Sequence, residues 1–225
     1  MSLSLTNEFV LLALNKEKKL ASLFDHLILV CEISLGLFEL TESSILSFES
    51  YKIASFDEMI FIADKELPEE MNYLRFLYQA VKDSQNKTIY DVITKFCTDW
   101  KTGYAHNYTA DIQMNLADKK LLTEKKRPGA QSEFAVFSEA AEVYADHLRK
   151  NLTEDRIADP SFLIMAVLLY RTGMLSEYFP EYYCGLITER LAAEYDRVSS
   201  PEESALLRFE LLYNIVLKVI TIALG

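Results

Sequence analysis

The stretch "LFDHLILVCEISLGLFEL", residues 23–40, decides how this chain folds. A helix on a protein surface carries one apolar stripe; this segment is apolar on nearly every side, which suits a helix buried at the centre of a helical domain. Its polar start, Asp25-His26, reads as a helix end, because adjacent residues point to different faces of a helix and cannot share a ligand.

Working outward, "NEFVLLALN" precedes it as a short helix that Ser4 or Thr6 can cap. After it, "SILSFESYKIAS" alternates and reads as a hairpin turning at Glu49-Ser50, with "MIFIA" (59–63) as a further strand. Helices follow. "LPEEMNYLRFLYQAVKD" opens at Pro68, with Glu69 and Glu70 set against the positive helix terminus. "KTIYDVITKFCTDW" and "NYTADIQMNLADKK" are amphipathic. "LLTEKKRPGAQSEFAVF" reads as strand, turn and strand around Pro128-Gly129. Ser138 opens "SEAAEVYADHLRKNL", Asp159-Pro160 opens "DPSFLIMAVLLYRTGML", and "YYCGLITERLAAEYDRV" continues the pattern. Ser200-Pro201-Glu202-Glu203 starts the last helix. With no linker or repeat, the expected architecture is mainly α: one domain over 1–225, a central buried bundle surrounded by amphipathic helices with short β-hairpins.

Composition agrees. The chain has 225 residues, half of them hydrophobic, enough for a sizeable core and too many for disorder. Only 6 Gly and 5 Pro argue against a turn-rich sandwich or barrel. Cys31, Cys97 and Cys184 are odd in number and widely spaced, as buried thiols in a reducing compartment would be. "MSLSLTNEFV" has no basic n-region, so it reads as a helix start rather than a signal peptide, and a cytoplasmic location is expected. "LLRFELLYNIVLKVITIALG" looks membrane-like, but Arg208, Glu210, Asn214 and Lys218 interrupt it. Asn214, Lys218 and Thr221 form a narrow polar stripe on a helix otherwise covered by protein.

Catalytic motifs are missing. His26, His106 and His147 have no companion at ligand spacing, so no metal site is expected. Glycine-rich phosphate loops and nucleophile elbows are absent as well, and no cofactor or enzymatic activity is expected.

One feature runs against the bulk. Net charge is −11, yet Lys119, Lys120, Lys125, Lys126 and Arg127 gather within nine residues. At their simplest they complement a helix C-terminus and solubilise a turn. As a functional edge they suit an anionic leaflet, with Phe134 and Phe137 of the same hairpin entering the headgroup layer. A winged helix with a basic wing tip is the third reading; a chain so acidic is repelled by a duplex, and no nucleic acid partner is expected.

The order of "LTNEFVLLAL" (5–14), "SLFDHLILVCEISLGLFEL…ILSFE" (22–49), "LYQAVKDSQNKTIYDVITKF" (77–96), "NLADKKLLTEKK" (115–126) and "DPSFLIMAVLLYRTGML" (159–175) resembles the Golgi phosphoprotein 3 family. That resemblance implies a non-enzymatic peripheral-membrane adaptor that binds phosphatidylinositol 4-phosphate and holds cytosolic peptide tails. It implies an aromatic at the headgroup pocket, matched in kind by Phe24. It places the family's pocket arginines at Ile33 and near His106 and Thr109, where this chain carries no guanidinium. Phe24, His106, Lys125, Lys126 and Arg127 are therefore the expected lipid-binding set, with Phe134 and Phe137 as membrane contacts. Expected partners are an anionic lipid headgroup and basic peptide tails, with homo-oligomerisation left open. The competing expectation is an acidic scaffold that takes basic segments without lipid.

Overall fold

A computed structural model describes residues 3–16, 25–53, 56–63, 65–84, 88–98, 103–125, 133–136, 138–153, 160–197 and 204–224. The fold is mainly α. In chain order the helices are α1 (Leu5–Lys16), α2 (Asp25–Glu42), α3 (Arg75–Lys82), α4 (Ile89–Thr98), α5 (Tyr104–Asp118), α6 (Ser138–Thr153), α7 (Pro160–Arg171), α8 (Leu175–Tyr178), α9 (Glu181–Arg197) and α10 (Ala205–Leu224). The strands are β1 (Leu46–Ile53), β2 (Phe56–Ala63), β3 (Leu122–Lys125) and β4 (Glu133–Val136), paired as two antiparallel hairpins. The chain forms two compact units, each assembled from separated segments: Met1–Ile28 with Leu116–Leu211, and Leu29–Asn115 with Leu212–Gly225.

In the unit built around Leu29–Asn115, every residue of α2 from 30 to 38 is buried, as its all-round apolar character predicts. Gly36 makes this packing possible. A Cβ there would lie 2.4 Å from the Tyr108 hydroxyl and 2.7 Å from Leu77 Cδ2, so only glycine lets α5 and α3 approach so closely. Helix α2 ends with Ser44 in the left-handed region (φ 53°), and Ile45 N–H donates to the Leu40 carbonyl at 2.9 Å.

The first hairpin differs from the expected one. Glu49 and Ser50 lie inside β1, paired with Ile60 and Met59, and the strands meet at Ile53–Phe56. Neither residue forces a positive φ or removes an N–H, so alternation runs straight through them. The helix predicted from Pro68 also starts differently. Pro68 supplies no side-chain cap, and a 3₁₀ segment, Glu69–Leu74, tightens the first turn before α3 begins.

In the unit containing Leu116–Leu211, α7 holds the central place. Residues 163–169 are consecutively buried, each large apolar side chain contributing about 1.5–3 kcal/mol. Helix α1 packs on α6, α7 and β4. Ser4 caps α1, its Oγ accepting from the Asn7 backbone N–H at 3.4 Å and from Asn7 Nδ2 at 2.8 Å; Thr6 is buried inside the helix instead. The short α8, which the sequence does not announce, is held by its hydrogen bonds. Tyr178 Oη donates to the Leu12 carbonyl at 2.6 Å, and Arg149 Nη2 donates to the Tyr178 carbonyl at 3.0 Å. Arg190 Nη1 donates to the Leu152 carbonyl at 2.6 Å, satisfying an acceptor in the last turn of α6.

All three cysteines are free thiols, but only Cys31 is fully buried. Cys97 and Cys184 are half-buried because each sits at the flank of an amphipathic helix; burial pushes the Cys97 thiol up to about 11, so it stays protonated. Asn214, Lys218 and Thr221 are exposed on α10 while Val216, Val219 and Ile220 are buried, as the polar stripe predicts. Ile222 is 56% exposed, so the uncovered face is wider than that stripe. Among the described residues no helix is long and apolar enough to cross a membrane.

Candidate functional site

The basic stretch begins where α5 stops. Lys120 adopts φ 60°, Leu121 N–H donates to the Leu116 carbonyl at 2.9 Å, and Lys120 N–H donates to the Ala117 carbonyl at 2.8 Å. This is a left-handed helix stop that glycine adopts without strain; a lysine in it costs about 1–2 kcal/mol. Lys119 and Lys120 are both exposed. The chain then enters β3, whose Leu122 is buried and pairs with Val136, while Lys125 pairs with Glu133 at the far end. The two strands expected within 121–137 therefore match β3 and β4.

Of the expected lipid-binding set, Phe24, Lys126 and Arg127 lie outside the described residues, as do Phe137, the Pro128-Gly129 turn and the side chains of Lys125 and Phe134. His106 is exposed on α5 and belongs to the unit of Leu29–Asn115, whereas Lys125 belongs to the other. Of the expected lipid-binding set, His106 is the one whose side chain is described.

The positions that the family resemblance associates with arginine have a different chemistry. Ile33 is fully buried. Thr109 Oγ1 donates to Glu32 Oε2 at 3.0 Å, and Tyr108 Oη donates to the Glu32 carbonyl at 2.7 Å. Glu32 itself is 3% exposed. Nearby, Tyr73 Oη donates to Glu39 Oε2 at 2.7 Å. Burial above all, then the charges of Glu32 and Glu39, hold the Tyr108 hydroxyl well above its ordinary pKa, so it stays a donor. Arg75 does supply a guanidinium here, but it meets Asp111 through two nitrogens, at 2.6 and 2.9 Å. The region is closed, with carboxylates where a phosphate would need cations.

A second constellation escapes sequence reasoning. Helices α7, α9 and α10 border a cleft of about 350 Å³. Val167 and Leu191 form its apolar wall, Tyr170 stands at the rim 60% exposed, and Arg171, Tyr195 and Glu210 line it as polar groups. Arg171 Nη2 donates to Glu210 Oε1 at 2.7 Å. Tyr195 also donates to Glu210; burial first, then that bond and the carboxylate charge, push its hydroxyl pKa well up. Three residues on three helices carry no spacing signal. Arg171 reads as an ordinary helix-end cation, and Glu210 as an interruption in an apolar run. No family model matches this chain, and no curated protein matches its sequence.

Proposed function

We propose that this chain is a non-enzymatic peripheral-membrane adaptor that meets anionic lipid along the α5 exit and the β3–β4 hairpin. Phosphatidylinositol 4-phosphate is the headgroup that the family resemblance suggests. The observation that carries the proposal is Lys120. It keeps a long cationic side chain in a backbone slot suited to glycine, beside exposed Lys119 and ahead of Lys125, Lys126 and Arg127. Dipole complementarity accounts for one or two lysines at a helix end; it does not reach the hairpin. Five cations near an anionic leaflet supply about 1 kcal/mol each, enough for reversible attachment despite the overall −11.

The hairpin is favoured over the α2–α5 region as the headgroup site. A phosphate beside Thr109 would face Glu32, and Ile33 offers no donor. His106 remains the one expected lipid ligand on α5, and its exposure suits a contact with headgroups better than a pocket.

Co-sedimentation with vesicles tests the proposal. Binding is expected to require phosphatidylserine or phosphatidylinositol 4-phosphate, to weaken with salt, and to fall sharply in the triple variant K125Q/K126Q/R127Q. Equal binding by that variant, or binding to neutral vesicles, would reject it.

A second reading, docking of basic peptide segments, is favoured by α9. Glu181 and Glu189 flank Tyr182, which is 76% exposed, along a groove of about 470 Å³. A lysine-rich peptide that binds wild type and not E181Q/E189Q, with vesicles ignored by both, would replace the first reading with this one.

A further inference from the structure

The cleft between α7, α9 and α10 lies within the unit containing Leu116–Leu211, shares no described residue with the hairpin, and has no part in the membrane reading. Its volume, about 350 Å³, lies at the lower end of the range for small-molecule pockets. Val167 and Leu191 form an apolar wall, 3% and 7% exposed, and Tyr170 stands at the rim. Such a wall takes a compact apolar body and gains by excluding water from it.

Charges and protons at the polar end decide what that body carries. Arg171 and Glu210 are the charged groups among the described lining residues, and they pair at 2.7 Å. Equal and opposite, they leave no unbalanced cation for an acid and no unbalanced carboxylate for an amine. A ligand of either sign would give up hydration and meet its like charge beside its opposite. The hydroxyl protons are committed too. Tyr195 donates to Glu210, and Thr188 donates to the Cys184 carbonyl at 2.8 Å. A hydroxyl that has given its proton keeps its oxygen as an acceptor. A ligand that only accepts finds those two protons taken, whereas one that donates an N–H or O–H finds an oxygen. Tyr170, the other hydroxyl of the described lining, is 60% exposed, where water serves it.

We propose that this cleft binds a small neutral aromatic molecule carrying one N–H or O–H donor, of the indole or phenol class. The ring lies along Val167 and Leu191 beneath Tyr170, where contact with the tyrosine rings adds to the gain from burial. Its donor is accepted by Tyr195 or Thr188. Glu210 and Arg171 act as positioning residues: the carboxylate fixes the Tyr195 proton, and the guanidinium balances the carboxylate. The Trp or Tyr side chain of a partner peptide presents the same chemistry.

Calorimetry on the full chain with indole, benzofuran, tryptamine and indole-3-acetate tests the proposal. Indole is expected to bind at one site. Benzofuran has nearly the same shape, with a ring oxygen in place of the N–H, and is expected to bind about fivefold more weakly, the worth of one neutral hydrogen bond. Cationic tryptamine and anionic indole-3-acetate are each expected to bind more weakly than indole. The double variant T188V/Y195F removes both acceptors and is expected to lose the preference for indole over benzofuran. Ala192→Trp fills the cleft from an exposed position and is expected to abolish indole binding, with unchanged circular dichroism verifying that the fold is kept. N-acetyltryptophanamide, the same ring on a capped peptide unit, forms the second arm: weaker binding than indole assigns a free molecule, and tighter binding assigns a side chain of a partner. Equal affinity of wild type for indole and benzofuran, tighter binding of either charged probe, absence of binding in both arms, or undiminished indole binding by Ala192→Trp would overturn the site. K125Q/K126Q/R127Q is expected to bind indole normally, so failure of the hairpin and failure of the cleft are read separately.

Discussion

Two tyrosine–glutamate pairs, Tyr108 with Glu32 and Tyr195 with Glu210, behave as opposites. The first is sealed. Tyr108 is fully buried, its hydroxyl donates to a helix carbonyl, and Gly36 removes the last side chain that could hold the helices apart. The second is open. Tyr195 is half-buried, Glu210 has an arginine partner 27% exposed, and about 350 Å³ of space adjoins them. Similar chemistry therefore serves packing in one place and borders an open cleft in the other. At Tyr108 a glycine opposite lets the helices close; at Tyr195 the neighbouring lining, Val167, Thr188, Leu191 and Ala192, leaves space open.

The sharpest way to break the contrast is to force the sealed region open. Gly36→Ala places a methyl 2.4 Å from the Tyr108 hydroxyl. Overpacking and the displaced hydrogen bond together are expected to cost about 2–4 kcal/mol, measured by urea unfolding. Adding Tyr108→Phe is expected to return part of that loss; strict additivity would mean the clash lies elsewhere.

Next in size is the comparison of the two phenols. Tyr108→Phe is expected to cost about 1–2 kcal/mol, because the buried carbonyl loses a donor that water cannot replace. Tyr195→Phe is expected to cost about 0.5 kcal/mol, since Glu210 keeps Arg171 and is reached by water. Equal costs would erase the distinction between sealed and open.

Smaller still is the ion pair. Glu210→Gln is expected to cost about 0.5–1 kcal/mol, with the loss shrinking as salt is added, because the pair is partly exposed. A loss unaffected by salt would place the pair in a drier setting.

The smallest effect is read as a titration. The hydrogen bond from Tyr104, at 2.7 Å, holds the Asp83 carboxyl below its ordinary 3.8, with Gln79 adding to it. A carboxyl depressed in the folded state lends stability above its unfolded pKa and loses it as pH falls through the folded value. Tyr104→Phe is therefore expected to raise the Asp83 titration seen by NMR and to leave stability near neutral pH slightly lower, with the difference vanishing in acid. An unmoved titration would remove Tyr104 as the cause.

These contrasts also show what the chain's order of residues made legible. All-round apolarity at 23–40 identifies α2, and turn residues bracketed by alternation identify the β3–β4 hairpin, because each is a local pattern. The Glu49-Ser50 turn failed because two polar residues resemble a turn without requiring one. Gly36 shows its purpose only once Tyr108 and Leu77 are opposite it. The basic edge is visible as a cluster in sequence. The cleft is not, since Arg171, Tyr195 and Glu210 meet only through the packing of three helices. Local patterns predict elements, while sites made of distant residues need the fold.

Amide hydrogen exchange with and without phosphatidylserine vesicles bears most directly on the membrane reading. Wild type is expected to gain protection along 119–137 and along no other long segment, and K125Q/K126Q/R127Q is expected to lose that gain. Protection that appears elsewhere, or an exchange pattern unchanged by anionic vesicles, would contradict attachment through the hairpin edge.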